Sequence, residues 1–235
     1  MTQSKVQKLG DSTEHSPSHA GTARLSAERR REQLLQVAVH LFSRKGFNGT
    51  TTREIAAAAG VTEAIIFRHF ATKEDLYTAI IDQRLKSADA REWLKNIKLA
   101  MDADDDEAVM RQLISAIIAG HRDDPEFQRL MLYAALEGNE IALIFMRAAT
   151  AAVVDEFRRY VARRQERGAL RAMTPDAALA AIAGMAKCYG LNKYVHGFDE
   201  QGLSDDEAVD LFTKVAMSGL ALKHGNGRGP KARKA

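Results

Sequence analysis

The sequence predicts an all-α protein, in which a three-helix N-terminal domain is joined to a larger helical domain. Apolar residues recur at intervals of three and four along most of the 235 residues, the spacing of a helix with one buried face. Residues that cap helix starts, among them Thr51, Thr72 and Ser204, precede several of these stretches. No segment of useful length alternates with the two-residue period of a strand, and the sequence has no internal repeat.

The first helix is expected from Ser26 to Lys45, because Leu34 and Phe42 fall on one apolar stripe. Ser26 is a suitable N-cap, and Gly46 suits the left-handed conformation that ends many helices.

The second helix opens with a predicted capping box. The hydroxyl of Thr51 can accept from the amide of Glu54, whose carboxylate can accept from the amide of Thr51. A third short helix follows a turn at residues 59–61. Thr72 and Asp75 form a weaker box before a longer fourth helix that runs from Lys73 toward Lys86 or beyond.

Five further helices are predicted at residues 105–122, 125–136, 139–166, 174–195 and 204–222. Asp124 and Thr174 are each followed by a proline, and a cap with proline at the first helical position is a common helix start. Ser204 and Glu207 form another capping box.

Composition divides the chain into four segments. Residues 1–23, rich in polar residues and without periodic apolar positions, are predicted to be a disordered arm. The three-helix domain is expected at 24–72, the larger helical domain at 73–222, and a basic flexible tail at 223–235.

The single cysteine excludes an intrachain disulfide and fits a reducing compartment. No apolar run reaches the roughly 18 residues needed to cross a bilayer, and the first residues lack the apolar block of a signal peptide. A cytoplasmic protein without membrane contact is expected.

Charge is unevenly distributed around the net value of +3. Residues 24–73 hold nine Lys and Arg against four Asp and Glu, whereas residues 86–222 hold 17 against 22. A basic domain on an acidic body indicates that one end of the molecule meets a polyanion.

Residues 51–70, TTREIAAAAGVTEAIIFRHF, have the layout of a helix-turn-helix, whose second helix enters the major groove of DNA. Gly60 falls where the turn favours a positive φ, and Ala56 falls where the two helices cross. The apolar contacts are expected from Ile55, Ala59, Val61, Ile66 and Phe70. The alternative is a helical hairpin without a DNA-binding role.

Residues 26–85 resemble the DNA-binding domain of the TetR family of bacterial transcriptional regulators. The segments that carry the resemblance are LLQVAVHLFSRKGFNGTTTREIAAAAGV and TEAIIFRHFATKEDLY. The resemblance implies a fourth helix that links the DNA-binding domain to a larger effector-binding domain. It also implies a homodimer that binds a palindromic operator on double-stranded DNA and releases it when a small molecule binds.

The family's DNA-contact positions can be transferred to this sequence. They fall on Thr52, Arg53, Thr62, Glu63, Ala64, Phe67, Arg68, His69 and Lys73. Arg68 can reach guanine O6 and N7, and Phe67 can contact a thymine methyl group. Thr62 is expected to cap the recognition helix. Glu63 stands where the family often has lysine, and its carboxylate can accept from a cytosine amine or stay solvated.

Small and apolar residues mark one face of each of the last two predicted helices, which favours a four-helix dimer interface. The interface candidates are Ala178, Ala181, Ile182, Met185, Val209, Phe212, Val215, Ala216 and Leu220. The alternative is that these residues pack only within one protomer.

Aromatic residues and methionines of the larger domain are candidates for lining an effector cavity. They are Trp93, Met110, Phe127, Met131, Tyr133, Phe145, Met146, Met173 and Tyr189. Each can equally fill a hydrophobic core. No cofactor and no metal ion are expected.

Three other features are interpreted as structural. Cys188 is expected to be a buried apolar residue, with redox sensing as the alternative. His15 and His19 lie in the predicted arm. The acidic residues at 102–107 are expected to form a solvated loop before a helix start, with a cation site as the alternative.

The favoured function is a ligand-responsive repressor, and an activator or a constitutive DNA-binding regulator is the alternative. An enzyme is a remote alternative, because the sequence has no nucleophile elbow, phosphate-binding glycine loop or catalytic cluster.

Overall fold

The computed structural model describes residues 26–199 and 202–221, without the side chains of residues 141, 145 and 149. The predicted arm, the predicted tail and the two histidines at 15 and 19 lie outside the described residues. Within them, the elements are α1 (Ala27–Lys45), α2 (Thr52–Ala58), α3 (Glu63–His69), α4 (Lys73–Leu85), α5 (Ala88–Asp102), α6 (Asp106–Asp123), α7 (Pro125–Leu136), α8 (Glu140–Glu166), α9 (Pro175–Gly190), a π-helical turn (Leu191–His196) and α10 (Asp205–Leu220). The described segments contain no strand beyond one isolated bridge between Leu170 and Ala221. The all-α prediction is confirmed.

The predicted helix starts are confirmed by their hydrogen bonds. Complete capping boxes join Thr51 to Glu54, Thr72 to Asp75 and Ser204 to Glu207. Asp124 and Thr174 each accept from a backbone amide in the first turn, and proline follows both. These starts are local because the capping residue and its partner lie within four positions of each other.

Helix α5 was not predicted as a separate element, and the helix predicted from 174 ends earlier than expected. Ser87, whose hydroxyl accepts from the amide of Ala90 at 3.1 Å, begins α5 only two residues after α4 ends. A break this short leaves little trace in an apolar pattern. The helix predicted at 174–195 becomes α9 up to Gly190 and then the π-helical turn.

Two hydrophobic cores organise the chain. The larger core joins α5, α6, α8, α9 and α10. The smaller core joins α1 to α4 with Phe127, Leu130 and Ala134 of α7 and with Ala142 of α8. The packing therefore crosses the boundary predicted at residues 72–73, because α7 contributes to the core of the N-terminal helices.

Close packing between α6 and the end of α9 depends on Gly190. A Cβ atom at this position would lie 2.7 Å from Cγ and 2.8 Å from Cβ of His121. His121 is itself buried, its ring nitrogen lies 2.7 Å from the carbonyl oxygen of Ile117, and burial lowers its pKa. The His121 atoms that a Cβ at position 190 would meet lie close to the backbone of α6, so turning the end of the His121 side chain does not relieve the contact.

Replacing Gly190 with alanine should therefore destabilise the fold by about 1–3 kcal/mol through overpacking. Gly120→Ala in the interior of α6 is the matched control, because its Cβ would meet only the Gln128 side chain at 3.9 Å. Gly120→Ala should hold or raise the melting temperature, since alanine favours a helix by about 1 kcal/mol over glycine. Thermal unfolding of both variants tests the prediction, and equal melting temperatures would contradict it.

Candidate nucleic-acid interface and effector site

The predicted helix-turn-helix is formed by α2 and α3. Gly60 has φ 66°, and the amide of Val61 donates to the carbonyl of Ala56 at 2.9 Å, which closes the turn. Ile55 and Ile66 are fully buried against the first helix. The turn therefore fixes the angle between the two helices, and the recognition helix has one buried and one open face.

The open face of α3 carries Ala64, Phe67 and Arg68, all exposed. Phe67 has 49% of its surface exposed, which is unusual for an aromatic side chain with a well-packed core nearby. Thr62 and Arg53 are also exposed at the starts of α3 and α2. These five residues occupy the surface that the resemblance assigns to DNA.

The predicted side-chain cap of α3 is wrong. Thr62 holds the N-cap position, but its hydroxyl makes no capping hydrogen bond. Instead, the hydroxyl of Thr52 donates to the Glu63 carboxylate at 2.7 Å. This bond ties the first residue of α2 to the first residue of α3 and gives the carboxylate of Glu63 a partner inside the protein.

His69 does not face fully outward as predicted. It is half-buried, and its Nε2 atom is covered and has no hydrogen-bond partner among the described residues. Burial lowers the pKa of His69 most, and the nearby charges of Arg68, Arg31 and Arg30 lower it further. Protonation of the ring is therefore disfavoured beside the basic surface.

Lys73 is committed to the loop between α1 and α2. Its Nζ atom donates to the carbonyls of Phe47 and Thr50 at 2.8 and 2.9 Å, and it lies 4.1 Å from the centre of the Phe47 ring. Two of its three protons are used inside the protein. Lys73 thus positions the loop that precedes α2, and its contact with DNA stays a prediction.

Arg31 belongs to the same surface and was missed by the sequence analysis. Its guanidinium carbon lies 5.0 Å from the centre of the Phe70 ring, at the end of the recognition helix. Arg30 is anchored instead: it donates to Gln33 at 2.6 Å, and Gln33 donates to the carbonyl of Ala59 in the turn at 3.2 Å. The run of three arginines at 29–31 is the feature of the sequence that could have indicated this basic surface.

The acidic run leads into the start of α6 as expected, but two of its carboxylates are paired with arginines rather than solvated. Asp104 is bonded to Arg163 and Arg167, and Asp106 accepts two hydrogen bonds from Arg164. Asp105 caps α6. The described residues contain no group of three or more potential metal ligands.

The effector candidates are divided between the two hydrophobic cores, and their lining of a ligand cavity stays a prediction. Met110 and Tyr189 are buried in the larger core, with Trp93 and Met173 packed against it. Phe127 is buried in the smaller core, with Met131 and Met146 packed against it. Tyr133 donates from its hydroxyl to the carbonyl of Arg44 at 3.0 Å, and the side chain of Phe145 lies outside the described residues.

One buried polar atom in the larger core was not identified from sequence. The hydroxyl of Thr213 on α10 is buried and lacks a hydrogen-bond partner among the described residues. Leaving such a group unpaired costs about 1–3 kcal/mol. The spacing of apolar residues along α10 does not show whether a single threonine is buried, so the sequence alone does not reveal the buried hydroxyl of Thr213.

The predicted dimer face is divided by the structure. Ala178, Ile182, Val209, Ala216 and Leu220 are buried within the protomer, which corrects their assignment to a free face. Met185 and Phe212 pack against the same core, whereas Ala181 and Val215 are exposed. The exposed small, apolar or sulfur-containing residues of the two helices are Ala177, Ala180, Ala181, Gly184 and Cys188 on α9, with Leu211, Val215, Ser218 and Gly219 on α10. Exposed charged residues accompany them: Asp176 and Lys187 on α9, with Asp206, Glu207, Asp210 and Lys214 on α10.

The prediction that Cys188 is buried is wrong, because its side chain is exposed on α9. Among the described helices, none has both the length and the apolar character needed to span a bilayer.

Comparison with known proteins covers both parts of the chain. Residues 34–80 match the model described as bacterial regulatory proteins of the tetR family, and residues 108–217 match the C-terminal domain of AefR-like transcriptional repressors. The transcriptional repressor NicS of Pseudomonas putida is 27% identical over 215 residues, which are 86% of this chain and 95% of NicS.

Two solved structures share the fold. NalD, the secondary repressor of the MexAB-OprM multidrug efflux pump in Pseudomonas aeruginosa, has a TM-score of 0.64 at 21% identity, over 83% of this chain and 98% of NalD. AibR in complex with isovaleryl coenzyme A and operator DNA has a TM-score of 0.57 at 21% identity, over 79% of this chain and 97% of AibR. With a helix-turn-helix at one end and the matched C-terminal domain at the other, the chain belongs to the TetR family of bacterial transcriptional regulators.

Proposed function

We propose that this protein is a homodimeric repressor that binds a palindromic operator and releases it when a small molecule binds in the larger core. The observation that carries the proposal is the open face of α3, where Phe67 and Arg68 stand on a helix whose other face is locked by Ile66. An exposed aromatic ring beside a guanidinium group fits the thymine methyl and the guanine edge in the major groove.

Charge supports the same surface. Arg31, Arg53 and Arg68 are exposed on or beside the helix-turn-helix, whereas Lys73 is bonded internally and Glu63 accepts from Thr52. We assign base contact to Arg68 and phosphate contact to Arg31 and Arg53. Selection of duplexes from a random pool tests the proposal, and it fails if the protein enriches no two-fold symmetric sequence at moderate salt.

Variants of Arg68 and Arg31 should weaken binding in different ways. Arg68→Ala should lose about 1–3 kcal/mol on the selected duplex and relax the preference at one base pair of each half-site. Arg31→Ala should weaken binding to all duplexes alike and lower the salt slope by about one per half-site. Titrations at several salt concentrations measure both effects. Arg91→Ala, at an exposed position in α5, is the control.

Dimerisation is proposed through the exposed faces of α9 and α10. Leu211 and Val215 are 46% and 47% exposed one turn apart on α10, and small residues on α9 permit close approach of another helix. A two-fold dimer would present two recognition helices to successive major grooves, about 34 Å apart.

Charged substitutions on this face should separate the protomers without unfolding them. Leu211→Asp with Val215→Asp places a carboxylate at positions that are already solvated in one protomer, so the melting temperature of the monomer should change little. Sedimentation should then report a monomer. Leu99→Asp, at a position 58% exposed on α5, should remain dimeric. A double variant that sediments like the unmodified protein would contradict the proposed interface.

The effector site is proposed in the larger core beside the unpaired hydroxyl of Thr213. Thr213→Val should raise the melting temperature of the free protein, because it removes a buried hydroxyl whose lack of a partner costs about 1–3 kcal/mol. It should also weaken binding of the first metabolite that stabilises the unmodified protein in a thermal-shift screen. A variant that is less stable and binds that metabolite equally well would argue against this location.

Repression distinguishes this proposal from activation and from enzymatic activity. Transcription in vitro from the selected duplex should fall when the protein is added and recover with the stabilising metabolite. A rise in transcription, or turnover of the metabolite by the purified protein, would replace the proposal with one of the alternatives.

A further inference from the structure

A carboxylate from the larger domain binds the loop that leads into the helix-turn-helix. Glu137, the residue that ends α7, accepts from the amide of Phe47 at 2.9 Å with Oε2 and from the amide of Asn48 at 3.2 Å with Oε1. These amides follow the end of α1, so neither lies within a helix that would satisfy it. Ninety residues of sequence separate Glu137 from Phe47.

The loop is shaped to admit this carboxylate. Gly46 has φ 73°, and a Cβ atom there would collide with the carboxylate of Glu137 and lie 3.0 Å from Cδ1 of Tyr133. Gly46 is therefore required twice, for its backbone conformation and for the space that its missing side chain leaves. One turn earlier on α7, the Tyr133 hydroxyl donates to the carbonyl of Arg44 at the end of α1.

The same loop is held from the other side by the DNA-binding helices. Lys73 at the start of α4 donates to the carbonyls of Phe47 and Thr50, and the buried Thr50 hydroxyl donates to the carbonyl of Gly46 at 2.9 Å. The loop thus joins four helix ends, those of α1 and α7 and the starts of α2 and α4. Two of its carbonyls are bonded by Lys73 and two of its amides by Glu137.

A second polar contact fixes the far end of α7 on α1. His40 Nδ1 lies 2.8 Å from the carboxylate of Glu126, near the start of α7. Between the two polar contacts, Phe127, Leu130 and Ala134 are buried in the smaller core. On its opposite side, α7 meets the π-helical turn, where Arg129 donates to the carbonyl of Val195 at 3.2 Å. Helix α7 therefore contacts α1 and the loop on one side and the π-helical turn on the other.

From this geometry we infer that Glu137 is a positioning residue for DNA recognition: its carboxylate sets the orientation of the helix-turn-helix relative to the larger domain. The inference rests on the proposed dimer. In a dimer, the orientation of each DNA-binding domain determines the spacing of the two recognition helices. Without the Glu137 contact, each protomer still presents an intact α3. The two DNA-binding domains would then have to give up orientational freedom to bind both half-sites at once, which weakens binding to the palindrome.

Binding to one half-site and to two half-sites separates positioning from folding. The variant is Glu137→Gln, which keeps the size of the side chain but loses its charge and one acceptor oxygen. The probes are the palindromic duplex selected by the unmodified protein and the same duplex with one half scrambled. The variant should bind the palindrome about fivefold or more weakly, while its affinity for the half-scrambled duplex should stay within about twofold.

Amide hydrogen exchange tests the contact without DNA. The amides of Phe47 and Asn48 should exchange about tenfold faster or more in Glu137→Gln, with α3 amides unchanged. Tyr133→Phe is a milder second variant that removes one hydroxyl and should shift the palindrome affinity in the same direction. Glu92→Gln, an exposed carboxylate on α5, should change neither measurement.

Equal losses on both duplexes would reduce Glu137 to a stabiliser of the fold and overturn the inference. Unchanged exchange of the two loop amides would also overturn it. If the unmodified protein selects no palindrome, the proposed function fails, and the exchange measurement still decides whether Glu137 holds the loop.

Discussion

The packing of α1 between the helix-turn-helix and α7 is the constraint on which the other features depend. One face of α1 is buried in the smaller core, where it meets residues of both α2–α3 and α7. Tyr77 completes this arrangement: its hydroxyl donates to the carbonyl of Leu130 at 3.2 Å, and burial, with the charge of Glu137 nearby, raises its pKa. Because α1 belongs to both contacts, the recognition helix is attached to the larger domain by packing as well as by α4.

The distribution of charge acquires a meaning from this packing. Several acidic residues of the larger domain form ion pairs with neighbouring arginines, as Asp106 does with Arg164. At the other end, the carboxylate of Glu63 accepts from Thr52 inside the protein, while the side chain of Arg68 remains exposed. Internal pairing thus leaves a basic surface at one end, which suits long-range attraction to DNA.

Polar contacts at the α1–α2 loop relate the two proposals to each other. A ligand in the larger core would alter α6, α9 and the π-helical turn, on which α7 rests. Glu137 directly follows the last residue of α7. A small displacement of α7 would therefore be transmitted to the loop before α2 through the two hydrogen bonds of Glu137. Such a route needs no contact between the ligand and DNA. It needs two positions of α7, one in which the protein binds the ligand more tightly and one in which it binds DNA more tightly.

The sequence by itself determined the helical class, most of the helix starts and the helix-turn-helix, because caps, turns and amphipathic spacing act over a few residues. Thr51 with Glu54, Gly60 and Asp124 with Pro125 could all be recognised in this way. Tertiary structure decided the rest. In the folded protein, Lys73 is hydrogen-bonded to the loop and Nε2 of His69 is buried. Ala178 and Ile182 are buried within the protomer, and the effector candidates are divided between two cores. Tertiary structure also brought Glu137 to Phe47 across ninety residues of chain. Those outcomes depend on which faces meet across the molecule, and local periodicity carries no information about the partner of a face.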